Sequence, residues 1–441
     1  MIMPKYGRHL VFPARKNSLA GFVPVKNNIR KFTQQMQDSA NCYMCKTMKK
    51  ISGVEMCPRH LKEYHYFKTK PMINSLSLEG SSPPGIFVGR AGYPKVFVGP
   101  LIPPVHGDTL MMDTPEMWNN LPIDNIVSFR SQLVRGMKAV DITDNESRFA
   151  CIIKELALAK DSAEVEANFS KMPRGGSMSE DSQPFGPSAP IKDIFVGSMK
   201  TEQSIDKAYS DTDLLSSDAI MDLYRKGIFI SKIQRSFSAG LFGLGKRRKL
   251  VPTRWSITAV DSTLSKIISE NLKMHPSIDE FRVYYYEALD NRWAVLMMPY
   301  EWSYELIEAW YPSTLWNPAS QIVIMSDHEG NEGKKEYSRI GGCFYSARLA
   351  VSEHLEKEHR QAATVIMRET HPGYILPLGV WVTRNAVREC LTKEPAKFDN
   401  LVAALDHIST KLAIKTDRWI QNSAILRNTM YQKKLGSFVQ K

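Results

Sequence analysis

The stretch from Cys42 to His60 constrains this chain more than any other. It reads Cys42-Tyr43-Met44-Cys45, then the loop Lys46 to Met56, then Cys57-Pro58-Arg59-His60. Each ligand pair has two residues between its members, and thiolates with an imidazole at that spacing close a tetrahedron around Zn²⁺. Ser52-Gly53 supplies a turn that folds the loop back between the two knuckles. Three of the six cysteines fall in this stretch; Cys151, Cys343 and Cys390 are scattered. A disulfide framework would spread its cysteines more evenly and would not leave an odd three. The spacing therefore predicts a structural Zn²⁺ on Cys42, Cys45, Cys57 and His60, the alternative being a chance cluster of free cysteines. Four protein ligands leave no open position for a catalytic water. His65 is a competing ligand with poorer spacing.

A chain of 441 residues has room for two or three domains, and 43% hydrophobic content supports a sizeable core. The net charge of +12 favours a polyanionic partner, most simply nucleic acid, against a basic protein that merely stays soluble. No apolar run approaches the ~20 residues of a membrane span, and the N-terminus lacks the apolar core of a signal peptide. Clustered cysteines at metal-ligand spacing fit a reducing interior, so a cytoplasmic location is expected.

Taken in order, residues 1–40 form a basic arm with a single acid, Asp38. It can release counterions from DNA or RNA, or serve as a solvated tail. The expected organisation is a zinc module at 41–66, an α/β body at 67–315, a C-terminal α/β region at 316–430 and a peptide tail at 431–441. Ile86–Val88 and Val96–Val98 flank the turn Gly89-Arg90-Ala91-Gly92-Tyr93-Pro94-Lys95, which reads as a hairpin whose Arg90 and Lys95 can hold a phosphate. Asp113-Thr114-Pro115-Glu116 reads as a helix start. Helices are expected over 126–137, from Glu146 to Lys171, and from Asp211 to Lys226, with a strand at Ile228–Ile230. The Pro/Gly/Ser-rich stretch 173–190 reads as an extended loop.

Lys246-Arg247-Arg248-Lys249 is the densest positive run, and Arg254-Trp255 follow it. Cations beside an aromatic combine phosphate attraction with base stacking, or simply form a solvated face. Asp261 is expected to cap the next helix. Phe281–Leu289 and Trp293–Met298 read as a hairpin turned by Asp290-Asn291. Pro299 to Glu305 is expected to lead into a helix through Trp310, and a strand is expected from Gln321 to Met325. The Asp327-His328-Glu329 cluster that follows can bind a metal or lie solvated. Gly341-Gly342-Cys343 opens a helix to Arg360 with amides free for an anion. Strands are expected at 363–368 and 378–382, and helices at 398–414 and 418–430. The fold class is α+β, a mixed α/β body with a small zinc module and a flexible C-terminal peptide.

The tail ends Gln432-Lys433-Lys434-Leu435-Gly436-Ser437-Phe438-Val439. It resembles the PCNA-interacting peptide. One 3₁₀ turn puts Leu435 and Phe438 on one face, with Gln432 beside them. Val439 stands where that pattern often carries a second aromatic. The knuckles, the hairpin FVGRAGYPKVFVGPL, the segment LVPTRWSITAVD, the stretch from Gly341 to Arg384 and this tail together resemble the archaeal Nre DNA-repair family. The resemblance implies a repair protein that works with the PCNA sliding clamp; it supplies no catalytic mechanism.

Three functions compete. One is a repair factor that binds DNA or RNA through Arg90, Lys95, Lys246, Arg247, Arg248, Lys249 and Arg254, and the clamp through Gln432, Leu435, Phe438 and Val439. Another is a nucleic-acid enzyme for phosphodiester or glycosidic-bond chemistry, whose pocket gathers Arg90, Arg254, Glu305, Arg348 and Glu369, each of which can equally be a structural ion-pair partner. The third is a non-catalytic clamp adaptor. A deep basic pocket favours the enzyme and a flat basic face favours the binder.

Overall fold

The computed structural model describes residues 75–431 apart from 176–184, 313, 315, 318 and 375–376, together with Ile73 and the backbone of two short strands. Those strands, β1 (Lys49–Ile51) and β2 (Val54–Met56), pair antiparallel in the loop between Cys45 and Cys57. The expected zinc ligands Cys42, Cys45, Cys57 and His60 and the expected clamp residues Gln432, Leu435, Phe438 and Val439 lie outside the described residues.

Mixed α/β architecture is built on two six-stranded sheets among the described residues. The first takes β3 (Ser77–Ser82), β4 (Ile86–Val88), β5 (Lys95–Ile102), β6 (Val134–Asp141), β7 (Ala163–Phe169) and β8 (Ser188–Val196) in the order β3-β7-β8-β6-β5-β4. Its β6–β8 pair is parallel and its other pairs antiparallel. The hairpin read around residues 89–95 is β4–β5, with Val88 opposite Val98.

Several expected helices are shorter than their patterns implied, and two of them give way to strands. Helix α1 (Ile123–Gln132) stops where Val134 enters β6, instead of running on to Met137. Gly136 is a poor interior helix residue, and in β6 it passes so close to Gly99 that a Cβ on Gly99 would collide with its carbonyl. Helix α2 (Arg148–Leu158) is capped by Ser147, whose Oγ accepts from Ala150 N at 3.2 Å, and it ends well before Lys171. Beyond it the apolar period changes from helical to two. Ala163, Val165, Ala167 and Phe169 are buried while Glu164 and Glu166 face water, which defines β7.

Helices α3 (Gln203–Ser210), α4 (Ser216–Arg225), α5 (Ile230–Ser238) and α6 (Thr253–Leu272) complete this half. Gly227 ends α4 with φ +80°, as its position predicted. The expected strand at Ile228–Ile230 instead opens α5, because Ile230, Ile233 and Phe237 recur at helical spacing and pack into the core with Leu156, Val165 and Leu264. Asp261 is no cap: it lies mid-way along α6, in the buried stripe with Val260, Leu264 and Ile268.

The second sheet takes β9 (Phe281–Ala288), β10 (Asn291–Met298), β11 (Ser303–Trp310), β12 (Val323–Glu329), β13 (Ala363–Thr370) and β14 (Ala396–Phe398) in the order β12-β11-β13-β10-β9-β14. Leu289 and Asp290 both adopt positive φ, which gives the β9–β10 hairpin the turn twist its strands need. The division at 315/316 falls between β11 and β12, which pair with each other; it separates the chain in sequence and not in space. Helices α7 (Gly342–Glu358) and α8 (Trp381–Leu391) cover one face. Helices α9 (Leu401–Ser409), α10 (Thr416–Asn422) and α11 (Ala424–Tyr431) cover the other. A sheet buried on both faces carries strands apolar throughout rather than alternating. That is why Ser303–Trp310, within the stretch expected to lead into a helix, is the strand β11, with Tyr304 and Leu306 packed toward α7 and Ile307 and Ala309 toward the other layer. The strand expected at 378–382 is the entry to α8, where Val382, Ala386 and Val387 recur on a helical face.

Candidate nucleic-acid interface

Two segments far apart in sequence meet at one edge of the first sheet. The β4–β5 turn is tied at its base by Gly89 N donating to Phe97 O at 2.8 Å, and Lys95 N donates to Gly92 O at 2.9 Å. Gly92 sits at φ +81°, a conformation that a side chain at this position would strain. The turn is fixed to the start of α6, since Val88 N donates to Thr253 Oγ1 at 2.8 Å. Ile142 N donates to Pro94 O at 3.1 Å, and Leu250 N donates to Ile142 O at 2.8 Å. One backbone network therefore joins the hairpin tip, the end of β6 and the segment that follows the basic run.

At this junction the rings of Tyr93 and Trp255 lie 5.2 Å apart at 53°. They are 43% and 45% exposed. The exposed cations Arg90, Lys95 and Arg254 stand in the same two segments, and Lys246, Arg247 and Lys249 are exposed in the turn that precedes α6. Helix α6 follows Pro252, which offers no side-chain cap, so the positive end of a 20-residue helix dipole adds to the field. Two neighbouring acids are engaged locally. Asp141, opposite Lys95, accepts from Thr143 Oγ1 at 2.6 Å and Thr143 N at 2.9 Å, bonds that hold its carboxyl below the usual range. Asp144 accepts from Ser147 N at 3.0 Å.

Arg248 differs from the rest of its run. Its guanidinium donates to the carbonyls of Gly243 at 2.7 Å and of Tyr209 and Asp211 at 2.5 Å each, and it lies over the Tyr209 ring. It fastens the turn to the end of α3. The part that sequence reading missed is Tyr93: its place between a glycine and a proline in an exposed turn marked it, but only the fold sets it against Trp255.

The five residues read as a pocket do not come together. Arg90 and Arg254 are on this edge. Arg348 is buried between α6, α7 and β12, where it pairs with Glu329 at 2.5 Å and donates to Ser265 Oγ at 3.0 Å. Glu305 accepts from Ala424 N at 2.8 Å, Ile425 N at 3.0 Å and Ser423 Oγ at 2.5 Å, binding the first turn of α11. Burial pushes its carboxyl up, and these bonds oppose the shift. Glu369 accepts from Ala413 N at 3.1 Å and Ile414 N at 2.7 Å, and lies 3.1 Å from His371 Nε2. It sits opposite Ala309 in the β11–β13 ladder. Four residues of strand, about 13 Å, therefore separate it from Glu305.

None of the five lines the 320 Å³ cavity around Trp118, Tyr286, Trp381 and Glu389, or the open 570 Å³ groove along Pro299–Ser303. Asp327 is paired with Lys334 at 2.8 Å and Glu329 with Arg348. Among the described residues no group of three or more His, Cys, Asp or Glu is placed to hold a metal, and no helix is long and apolar enough to cross a membrane.

Comparison with known proteins adds a second line. The family model described as Archaeal Nre, N-terminal, matches residues 51–317, and that described as Archaeal Nre, C-terminal, matches residues 329–438. DNA repair protein NreB of Archaeoglobus fulgidus is 41% identical over 350 residues, which cover 79% of this chain and 88% of that protein. DNA repair protein NreA of the same organism is 34% identical, over 86% of this chain and 95% of its own. DNA repair protein NreA of Haloferax volcanii is 32% identical, over 77% and 84%. No solved structure gives a significant match.

Proposed function

The chain belongs to the archaeal Nre family, and from that premise we propose that it is a DNA-repair factor that binds DNA on the Tyr93–Trp255 edge and docks on the PCNA sliding clamp through its tail. The observation that carries the DNA-binding part is the exposed aromatic pair set among Arg90, Lys95 and Arg254, beside the basic turn 246–249. Cations on a protein face attract the phosphate backbone by releasing condensed counterions. Support for a binder over a nucleic-acid enzyme comes from Glu305, Arg348 and Glu369, whose polar groups are spent on neighbouring backbone and ion-pair partners.

Two further parts complete the reading. The module at 41–66 holds a structural Zn²⁺ through Cys42, Cys45, Cys57 and His60; three thiolates and an imidazole are a donor set zinc accepts. The tail presents Leu435 and Phe438 on one turn, with Gln432 and Val439 beside them, to the clamp.

DNA binding measured by fluorescence anisotropy across a salt series tests the central part. Lys246→Ala/Arg247→Ala/Lys249→Ala leaves Arg248 in place to hold the turn. This variant should bind more weakly and lower the slope of log K against log salt by roughly two. Unchanged binding and slope would move the interface elsewhere, and no binding by the native protein at low salt would remove the proposal.

A further inference from the structure

We propose that the Tyr93–Trp255 edge is a site for unpaired DNA bases, so that the preferred substrate is single-stranded DNA rather than duplex; this inference rests on the DNA-binding reading above. The two rings are tilted at 53° and do not stack on each other, so neither closes off the other's outer face. Nearly half of each ring's residue is open to water. The edge thus offers two apolar surfaces set among cations. Cations alone are enough for a duplex, whose outer surface is phosphate and whose bases already stack on one another. Aromatic faces gain from nucleic acid only when a base is free to lie on them, and such stacking tolerates any sequence because every base has a π-face.

The geometry is also held in advance. Trp255 stands in the first turn of α6, and Tyr93 in a turn that the Val88–Thr253 and Ile142–Pro94 hydrogen bonds fasten to that helix. Binding therefore need not order the platform, which lowers its cost. DNA in repair is repeatedly exposed as single strand, so this substrate suits the proposed role.

Anisotropy with the full-length protein and one labelled sequence as single strand, as duplex and as RNA tests the inference. The native protein should bind the single-stranded DNA more tightly than the duplex or the RNA. Trp255→Ala and Tyr93→Ala should each weaken single-strand binding roughly 5- to 150-fold, the range for losing one stacked base, and leave duplex binding nearly unchanged. Trp255→Phe should restore much of the loss, which separates stacking from damage to the helix start. Equal or tighter binding of duplex, tighter binding of RNA, or single-strand binding indifferent to both alanine variants would overturn the inference. If in that case the triple basic variant still weakens binding, the DNA-binding reading survives alone. If the native protein binds none of the three at low salt, both fall.

Discussion

Asp261→Leu should destabilise the fold by about 3–5 kcal/mol, the usual cost of removing one partner from a buried ion pair. Asp261 and Arg384 are both essentially unexposed. Arg384 Nη1 donates to both carboxylate oxygens at 2.9 Å, and Gln234 Nε2 donates to Oδ1 at 2.9 Å. Without Asp261 the nearest acid left to the guanidinium is Glu116, 3.8 Å from Nη2, and Glu116 is itself occupied by Ser231 N at 2.8 Å and Ser231 Oγ at 2.7 Å. Arg384 Nε has no hydrogen-bond partner even in the native protein, so little is in reserve. Unfolding entropy near 2.1 cal/mol/K per residue over a body of roughly 350 residues gives about 0.75 kcal/mol/K, so the loss corresponds to a fall in Tm of about 4–7 °C. The double variant Asp261→Leu/Arg384→Met removes both buried charges and should recover most of the loss. Thermal and urea unfolding of the two variants decide it. A single variant within 1 kcal/mol of native, or a double variant worse than the single, would refute the assignment of this pair as the link between α6 and α8.

Lys232 donates to the carbonyls of Ala157 and Ala159 at 2.7 and 2.6 Å, and burial pushes its ammonium down to about 7. The unfolded chain keeps that proton to about pH 10.4, so between these values the unfolded state binds more protons and stability rises with pH. Lys232→Met should flatten that rise, which urea titrations at pH 7 and 9 would read. Elemental analysis should find about one zinc per chain, and full zinc retention in a Cys42→Ser/Cys45→Ser variant would remove those ligands from the set. Deleting residues 432–441 should abolish binding to purified PCNA in calorimetry while leaving DNA affinity unchanged; Phe438→Ala should do most of the same damage, and native-like affinity in the truncated protein would exclude the tail as the anchor.

Turn chemistry made the two main hairpins legible. Gly89 and Gly92 in one, and Asp290-Asn291 in the other, fix the reversal locally, and the apolar runs beside them had no competing assignment. Segments without such punctuation were ambiguous. Ser303–Trp310 carries Glu305 and Glu308 among apolar residues, which on a solvated element would mark a helix face. In β11 the two acids fall on opposite faces of a doubly covered sheet, and Glu308 is neutralised by Arg368 at 2.7 Å. Glu146–Lys171 failed at one point only, the switch of period after Leu158.

The same distinction separates the charges that stay at the surface from those that the fold buries. A polar group on a buried strand or helix face must find partners wherever the fold supplies them. Glu305 finds Ser423 and Ile425, Glu369 finds Ile414, and Asp261 finds Arg384, all remote in sequence. No local pattern shows such a partner, so an acid committed to the backbone of another layer reads like one free for catalysis. Arg90, Lys95 and Arg254 stand at turns and a helix start, where the chain reaches water, and there the local pattern and the final environment coincide. What the pattern could not supply was their meeting. Val88 and Thr253 are 165 positions apart, and their hydrogen bond, with that of Ile142 to Pro94, helps to turn a basic hairpin tip and an isolated tryptophan into one surface. Because the Val88–Thr253 bond ties the end of β4 directly to the start of α6, Thr253→Val should loosen the platform without touching a charge or a ring. It should weaken DNA binding less than Trp255→Ala while leaving the salt slope intact, as anisotropy at several salt concentrations would read; a slope that falls with Thr253→Val would mean that the tie also positions the cations.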